Sequence, residues 1–118
     1  LCSGILYNNW ALKIWGDEAV TYGAPLVEET LKTFIPIALG TNILFAHITF
    51  GGVEAICDFS SHPGARGSTA ALVGFVSHGV FGAVTAVVSG YLKNTFIGVA
   101  AAILFHMGWN YTVMILLQ

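Results

Sequence analysis

Charge is what this chain has least of. Charged side chains make up 8% of its 118 residues, against about a quarter in an ordinary soluble domain. So few could not cover the surface of a water-soluble fold in which 56% of residues are apolar. Lipid is therefore expected to be the solvent for much of the surface. Lys and Arg number four and the net charge is −2, which excludes the basic face that nucleic acid requires. It also leaves the positive-inside rule almost nothing to count. Cysteine is limited to Cys2 and Cys57, with no CxxC pair, and both read as small apolar residues. The HExxH spacing of many zinc peptidases is missing. Segments of alternating hydrophobicity are missing as well, which argues against a membrane β-barrel. No linker, internal repeat or second domain is found, and residues 1–118 read as a single membrane-embedded helical domain. The chain starts at Leu1 and stops within "VMILLQ", which reads as a piece of a longer protein. No basic start followed by an apolar core marks a signal peptide.

What is there is a series of apolar helical runs rich in glycine, 14 in all, as membrane helices are. Trp10, Trp15, Tyr7 and Lys13 suit a membrane–water boundary, and Asp17 and Glu18 mark an aqueous turn. A first helix is expected from Ala19 or Ala24 to Leu39, with Pro25 in its first turn and Pro36 kinking it. A turn at Gly40 to Asn42 leads to a second helix from Ile43 to Cys57. The stretch "DFSSHPGARG" (Asp58 to Gly67) reads as the clear loop. A third helix is expected from Ser68 to Leu92, a tight turn at Lys93 and Asn94, and a fourth helix from Thr95 to Gln118. The fold class is thus all-α, a multi-spanning transmembrane bundle of about four helices.

Ionisable groups in these apolar runs carry the functional signal. Glu28, Glu29, Lys32, Glu54, His78 and His106 all lie away from the loops. An acid or lysine at mid-bilayer costs about 2.5–3.5 kcal/mol on insertion scales, so such residues are functional candidates by default. Glu28 and Lys32 lie four apart on one helical face, and Glu29 lies three before Lys32. A lysine beside two carboxylates suits a general base, or equally a salt-bridged helix clasp. His106 and Asn110 are one turn apart; the amide could orient the imidazole, donate to an oxyanion, or clasp two helices. His78 sits between Gly74 and Gly82 on its own face, with Thr85 and Ser89 continuing that face, so a neighbouring helix could approach closely. Glu54 follows Gly51 and Gly52, and could also be a boundary residue facing water. His47 reads as structural, and His62 as a solvated loop residue.

Acids and imidazoles on four helices can converge on one water, one group removing its proton while others stabilise the developing charge. Two histidines and a glutamate, here Glu28, His78 and His106, could alternatively hold zinc with an open position.

The pattern resembles the PrsW family of intramembrane proteases, related to the CAAX-prenyl endopeptidases. "EETLK" (Glu28 to Lys32) is similar to that family's EExxK, and "FGGVE" (Phe50 to Glu54) to its FxxxE. His78 falls where the family has a histidine in the next helix, and "HMGWN" (His106 to Asn110) is similar to its HxxxN. The resemblance runs from about Ala24 to Asn110. It implies a multi-pass integral membrane endopeptidase that cuts membrane-associated proteins or membrane-anchored peptides. By that resemblance Glu28 or Glu29 would activate water with His78 and His106 assisting. Asn110 would steady an oxyanion or His106, Lys32 would poise the glutamates, and Glu54 would complete the cluster. Two other classes compete: a non-catalytic membrane scaffold of the same fold, and a proton or ion transporter. The apolar stretches Ala70–Val73 and Ile97–Leu104 give little support to a continuous polar path.

Overall fold

A computed structural model describes Ile14, Gly16 and residues 18–116. The boundary residues Tyr7, Trp10, Lys13 and Trp15 lie outside the described residues, as do Cys2, Asp17, Leu117 and Gln118. The fold is all-α. A π-helical turn, Ala19–Gly23, runs into α1 (Ala24–Ala38), followed by α2 (Ile43–Ser61), α3 (Ala65–Leu92) and α4 (Thr95–Leu116). Three of these, α2, α3 and α4, are long and apolar enough to cross a membrane. Helix α1 has 15 residues and carries Glu28, Glu29 and Lys32, and is not one of them.

The helix ends follow local chemistry. Pro25 occupies the first turn of α1, where a missing N–H costs nothing. At the other end Gly40 has φ +67°. Its N–H donates to Ile37 O and that of Thr41 to Pro36 O, a Schellman closure. Asn42 caps α2 by accepting from the Phe45 N–H at 3.2 Å, and Asn94 caps α4 by accepting from Ile97 N–H at 3.3 Å.

The expected loop from Asp58 to Gly67 is mostly helix. α2 runs on to Ser61 and α3 begins at Ala65; Ser60, Ser68 and Thr69 turn their hydroxyls back onto carbonyls one turn earlier, an arrangement these helices accommodate. Only His62, Pro63 and Gly64 break the helix. Gly64, at φ +110° and ψ −168°, holds a conformation open essentially to glycine alone. Cys57, expected to be a small apolar residue, is disulfide-bonded.

The interior is inverted relative to a soluble protein. Among the described residues nine polar or charged side chains are buried, against five hydrophobic ones, while Leu39, Phe45, Ile56, Phe96 and Leu104 are each more than half exposed. Such a surface fits hydrocarbon, not water.

α2 and α3 make the most extensive contact, and α3 packs next against α4. The α2–α3 register is set by a reciprocal pair of notches. A Cβ on Gly82 of α3 would lie 2.6 Å from the His47 Cβ of α2. A Cβ on Gly51 of α2 would lie 2.9 Å from the His78 Cβ of α3. One turn forward along α2, from His47 to Gly51, thus matches one turn back along α3, from Gly82 to His78. The two segments read "HITFG" (His47 to Gly51) and "HGVFG" (His78 to Gly82). This is a short internal repeat, HxxFG, where none was expected. At five residues with two variable positions it falls below what a search for repeats of whole structural units detects.

Gly82→Ala should therefore lower stability by about 1–3 kcal/mol through overpacking, read as a lower melting temperature in detergent. Gly79→Ala, where the added carbon meets nothing within 4 Å, should not. Equal melting temperatures for the two variants would refute the notch packing.

Candidate functional site

Each helix contributes to one polar cluster. α1 supplies Glu28, Glu29 and Lys32, α2 supplies His47 and Glu54, α3 supplies His78, and α4 supplies His106. Helical spacing places Lys32 one turn on from Glu28 and Glu29, within reach of both. Glu29 and His47 are fully buried. Lys32, Glu54, His78 and His106 are also buried, whereas the Glu28 side chain keeps 18% of its exposure.

The Glu29 carboxylate is the hub. Its Oε2 lies 2.9 Å from His47 Nε2. Its Oε1 lies 2.8 Å from His106 Nδ1 and 3.6 Å from Lys32 Nζ. Three cationic or N–H groups from three helices thus replace the water that an ion would otherwise need.

A second branch runs through Lys32. Its ammonium donates to Glu28 Oε2 at 3.0 Å and to His78 Nδ1 at 3.0 Å. An ammonium only donates, so His78 Nδ1 must accept, which assigns the ring proton to Nε2. That Nε2–H donates to Glu54 Oε2. Glu28, Lys32, His78 and Glu54 are therefore linked in a continuous chain of hydrogen bonds, with Lys32 donating to both sides and His78 donating on to Glu54.

Aromatic rings close the cluster. Lys32 Nζ stands 4.2 Å from the centre of the Phe50 ring, a cation–π contact. Phe81 stacks on His106 at 4.4 Å and 17°, and meets His78 edge-on at 6.0 Å. Both phenylalanines are the aromatic members of the HxxFG pair. Phe81 also lines an apolar groove of about 880 Å³ between α3 and α4, with Leu72, Val76, Val80, Leu104 and Trp109. One ring thus touches both the groove and the imidazoles.

The expected residues are placed as follows. Glu28, Glu29, Lys32, Glu54, His78 and His106 come together. Asn110 lies one turn beyond His106, half-buried, but His106 takes its Nδ1 partner from Glu29 rather than from Asn110. Glu54 faces His78 inside the bundle rather than boundary water. His47, read as structural, is a direct partner of Glu29 and so belongs to the cluster. The signal that could have found it is the shared HxxFG spacing with His78.

The zinc set expected from the sequence, Glu28, His78 and His106, is not the set that assembles. The donor atoms within 4.8 Å of one another among the described residues are those of Glu28, Glu29 and His78. Lys32 Nζ lies among them, 3.0 Å from Glu28, 3.6 Å from Glu29 and 3.0 Å from His78. An internal cation takes the space the three donors share, so the set does not fit a divalent ion while Lys32 remains charged and in place.

Compared with protein-family models, curated proteins and solved structures, the chain matches none of them.

The hub makes Glu29→Gln costly. It should lower stability by about 3–5 kcal/mol, as breaking a buried ion pair does, and by more than Glu28→Gln, measured as melting temperature in one detergent. Thr33 is fully buried and its hydroxyl finds no hydrogen-bond partner among the described residues. Thr33→Val should therefore be neutral or raise stability by about 1 kcal/mol. A larger loss from Glu28→Gln than from Glu29→Gln would contradict the hub assignment.

Proposed function

We propose that the protein is an intramembrane endopeptidase resembling the PrsW type, hydrolysing peptide bonds of membrane-associated proteins with water activated by a glutamate. The observation that carries this reading is the split between the two adjacent glutamates. Glu29 has both oxygens engaged and no exposure. Glu28 engages Oε2 with Lys32, and its Oε1 has no hydrogen bond among the described residues. Glu28 is then the base and Glu29 the anchor.

In this reading Lys32 holds one oxygen of the Glu28 carboxylate, leaving the other to take a proton from water. The hydroxide forms a bond to the scissile carbonyl carbon. The amide of Asn110, or His106 through Nε2 once both of its ring nitrogens carry hydrogen, stabilises the resulting oxyanion. The proton held on Glu28 passes to the amide nitrogen as the carbon–nitrogen bond breaks, releasing an amine and an acid and restoring the carboxylate. The lipid-like surface of α2, α3 and α4 supports a multi-pass integral membrane protein. The groove beside Phe81 supports an apolar, membrane-embedded substrate segment.

A second reading, a non-catalytic scaffold, draws on a different observation. The hydrogen bonds of Glu29, Lys32 and His78 are internally satisfied, as in a clasp between helices.

The two readings separate in liposomes holding the purified protein and a panel of single-span reporter proteins. Glu28→Gln should slow reporter cleavage by about a hundredfold or more while the protein stays folded. Unchanged cleavage in the Glu28→Gln variant excludes Glu28 as the base, and unchanged cleavage in both the Glu28→Gln and the Glu29→Gln variants excludes glutamate catalysis altogether. A folded wild type that cleaves no reporter favours the scaffold.

A further inference from the structure

We infer that His47 is a positioning residue for the proposed hydrolytic site, anchoring the Glu29 carboxylate on which His106 and Lys32 depend. Its catalytic consequence rests on the reading above, but the anchoring itself does not.

The hydrogen-bond directions carry the argument. His47 is fully buried with both ring nitrogens engaged. Nδ1 lies 2.9 Å from Ile43 O, and a carbonyl oxygen only accepts, so Nδ1 bears a hydrogen. Nε2 lies 2.9 Å from Glu29 Oε2. A neutral ring protonated on Nδ1 would present a lone pair to that oxygen, so a second proton must lie between Nε2 and Oε2. Oε1 of the same carboxylate faces His106 Nδ1 at 2.8 Å and the Lys32 ammonium at 3.6 Å, and both favour an ionised carboxylate. The proton is therefore assigned to Nε2, which makes the contact an imidazolium–carboxylate pair.

The ring has little freedom to leave this arrangement. A Cβ on Gly82 would lie 2.6 Å from His47 Cβ and 2.7 Å from Cγ, so the α3 backbone presses directly on the ring's root. The Ile43 carbonyl holds one ring nitrogen, Glu29 holds the other, and Gly82 holds the base. With Oε2 held by α2, Oε1 is left aimed at α4 and at Lys32. His47 thereby sets the orientation of His106 without needing to touch substrate.

Two substitutions distinguish anchoring from filling. In His47→Gln the amide nitrogen reaches the Nε2 position and can still donate to Glu29. In His47→Asn the shorter amide reaches only the Nδ1 position and keeps the Ile43 contact. Anchoring predicts that kcat for reporter cleavage stays within about threefold of wild type in the Gln variant and falls by about tenfold or more in the Asn variant, at unchanged KM. The reverse order, or an Asn variant equal to wild type, overturns it. A readout independent of turnover is the ¹⁵N spectrum of histidine-labelled protein in micelles. The wild type should show His47 protonated on both nitrogens and His106 protonated on Nδ1. The Asn variant should lose the His106 Nδ1 proton and the Gln variant should keep it. An unprotonated His47 nitrogen in the wild type overturns the anchoring even if a variant fails to fold. Spectra as expected with no cleavage by the wild type keep the anchoring and overturn the hydrolytic reading alone.

Discussion

A carboxylate with no water around it must be solvated by the protein, and Glu29 is that carboxylate. Its partners come from separate places: Lys32 one turn along α1, His47 on α2, and His106 on α4. None of these helices can move away without stranding an ion in a medium that penalises it by several kcal/mol. In a soluble protein the hydrophobic effect would press the helices together. Between helices in lipid that drive is missing, and the polar hub supplies part of the cohesion instead. The inverted distribution of residues, polar within and apolar without, follows from the same condition.

The hub needs close approach, and the glycines provide it. Gly82 takes His47 and Gly51 takes His78, so two antiparallel helices exchange identical features across their contact. Each histidine then pairs with a glutamate, His47 with Glu29 and His78 with Glu54. The phenylalanines one residue before each glycine cover the cluster, Phe50 over Lys32 and Phe81 over His106. Register, burial of the imidazoles and sealing of the site are consequences of one short pattern used twice.

Within the cluster the two neighbouring glutamates are chemically unlike. One is enclosed and fully engaged; the other keeps an oxygen without a hydrogen bond among the described residues and partial exposure. Consecutive positions on a helix point about 100° apart, so one can face the hub while the next faces the rim. Lys32 links them, and its position among Glu28, Glu29 and His78 gives the site a built-in positive charge where a metal could otherwise sit.

The sequence by itself determined the helical class, the long apolar spans, and the facts that Glu28 and Lys32 share a face and that ionisable groups lie on every helix. These properties are local: they depend on composition and on a period of 3.6 residues. The expected loop at Asp58 to Gly67 shrank to His62, Pro63 and Gly64; serine favours a loop by composition but does not by itself break a helix, since a hydroxyl such as that of Ser60 can bond back to a carbonyl within it. Only the tertiary structure decided that His47 joins Glu29, that Glu54 turns to His78, that His106 Nδ1 bonds Glu29 rather than Asn110, and that a lysine sits among Glu28, Glu29 and His78. Each of those depends on which side chain another helix brings within about 3 Å, and rotation of a helix about its axis, set by packing against its neighbours, is not written in the spacing of any one segment.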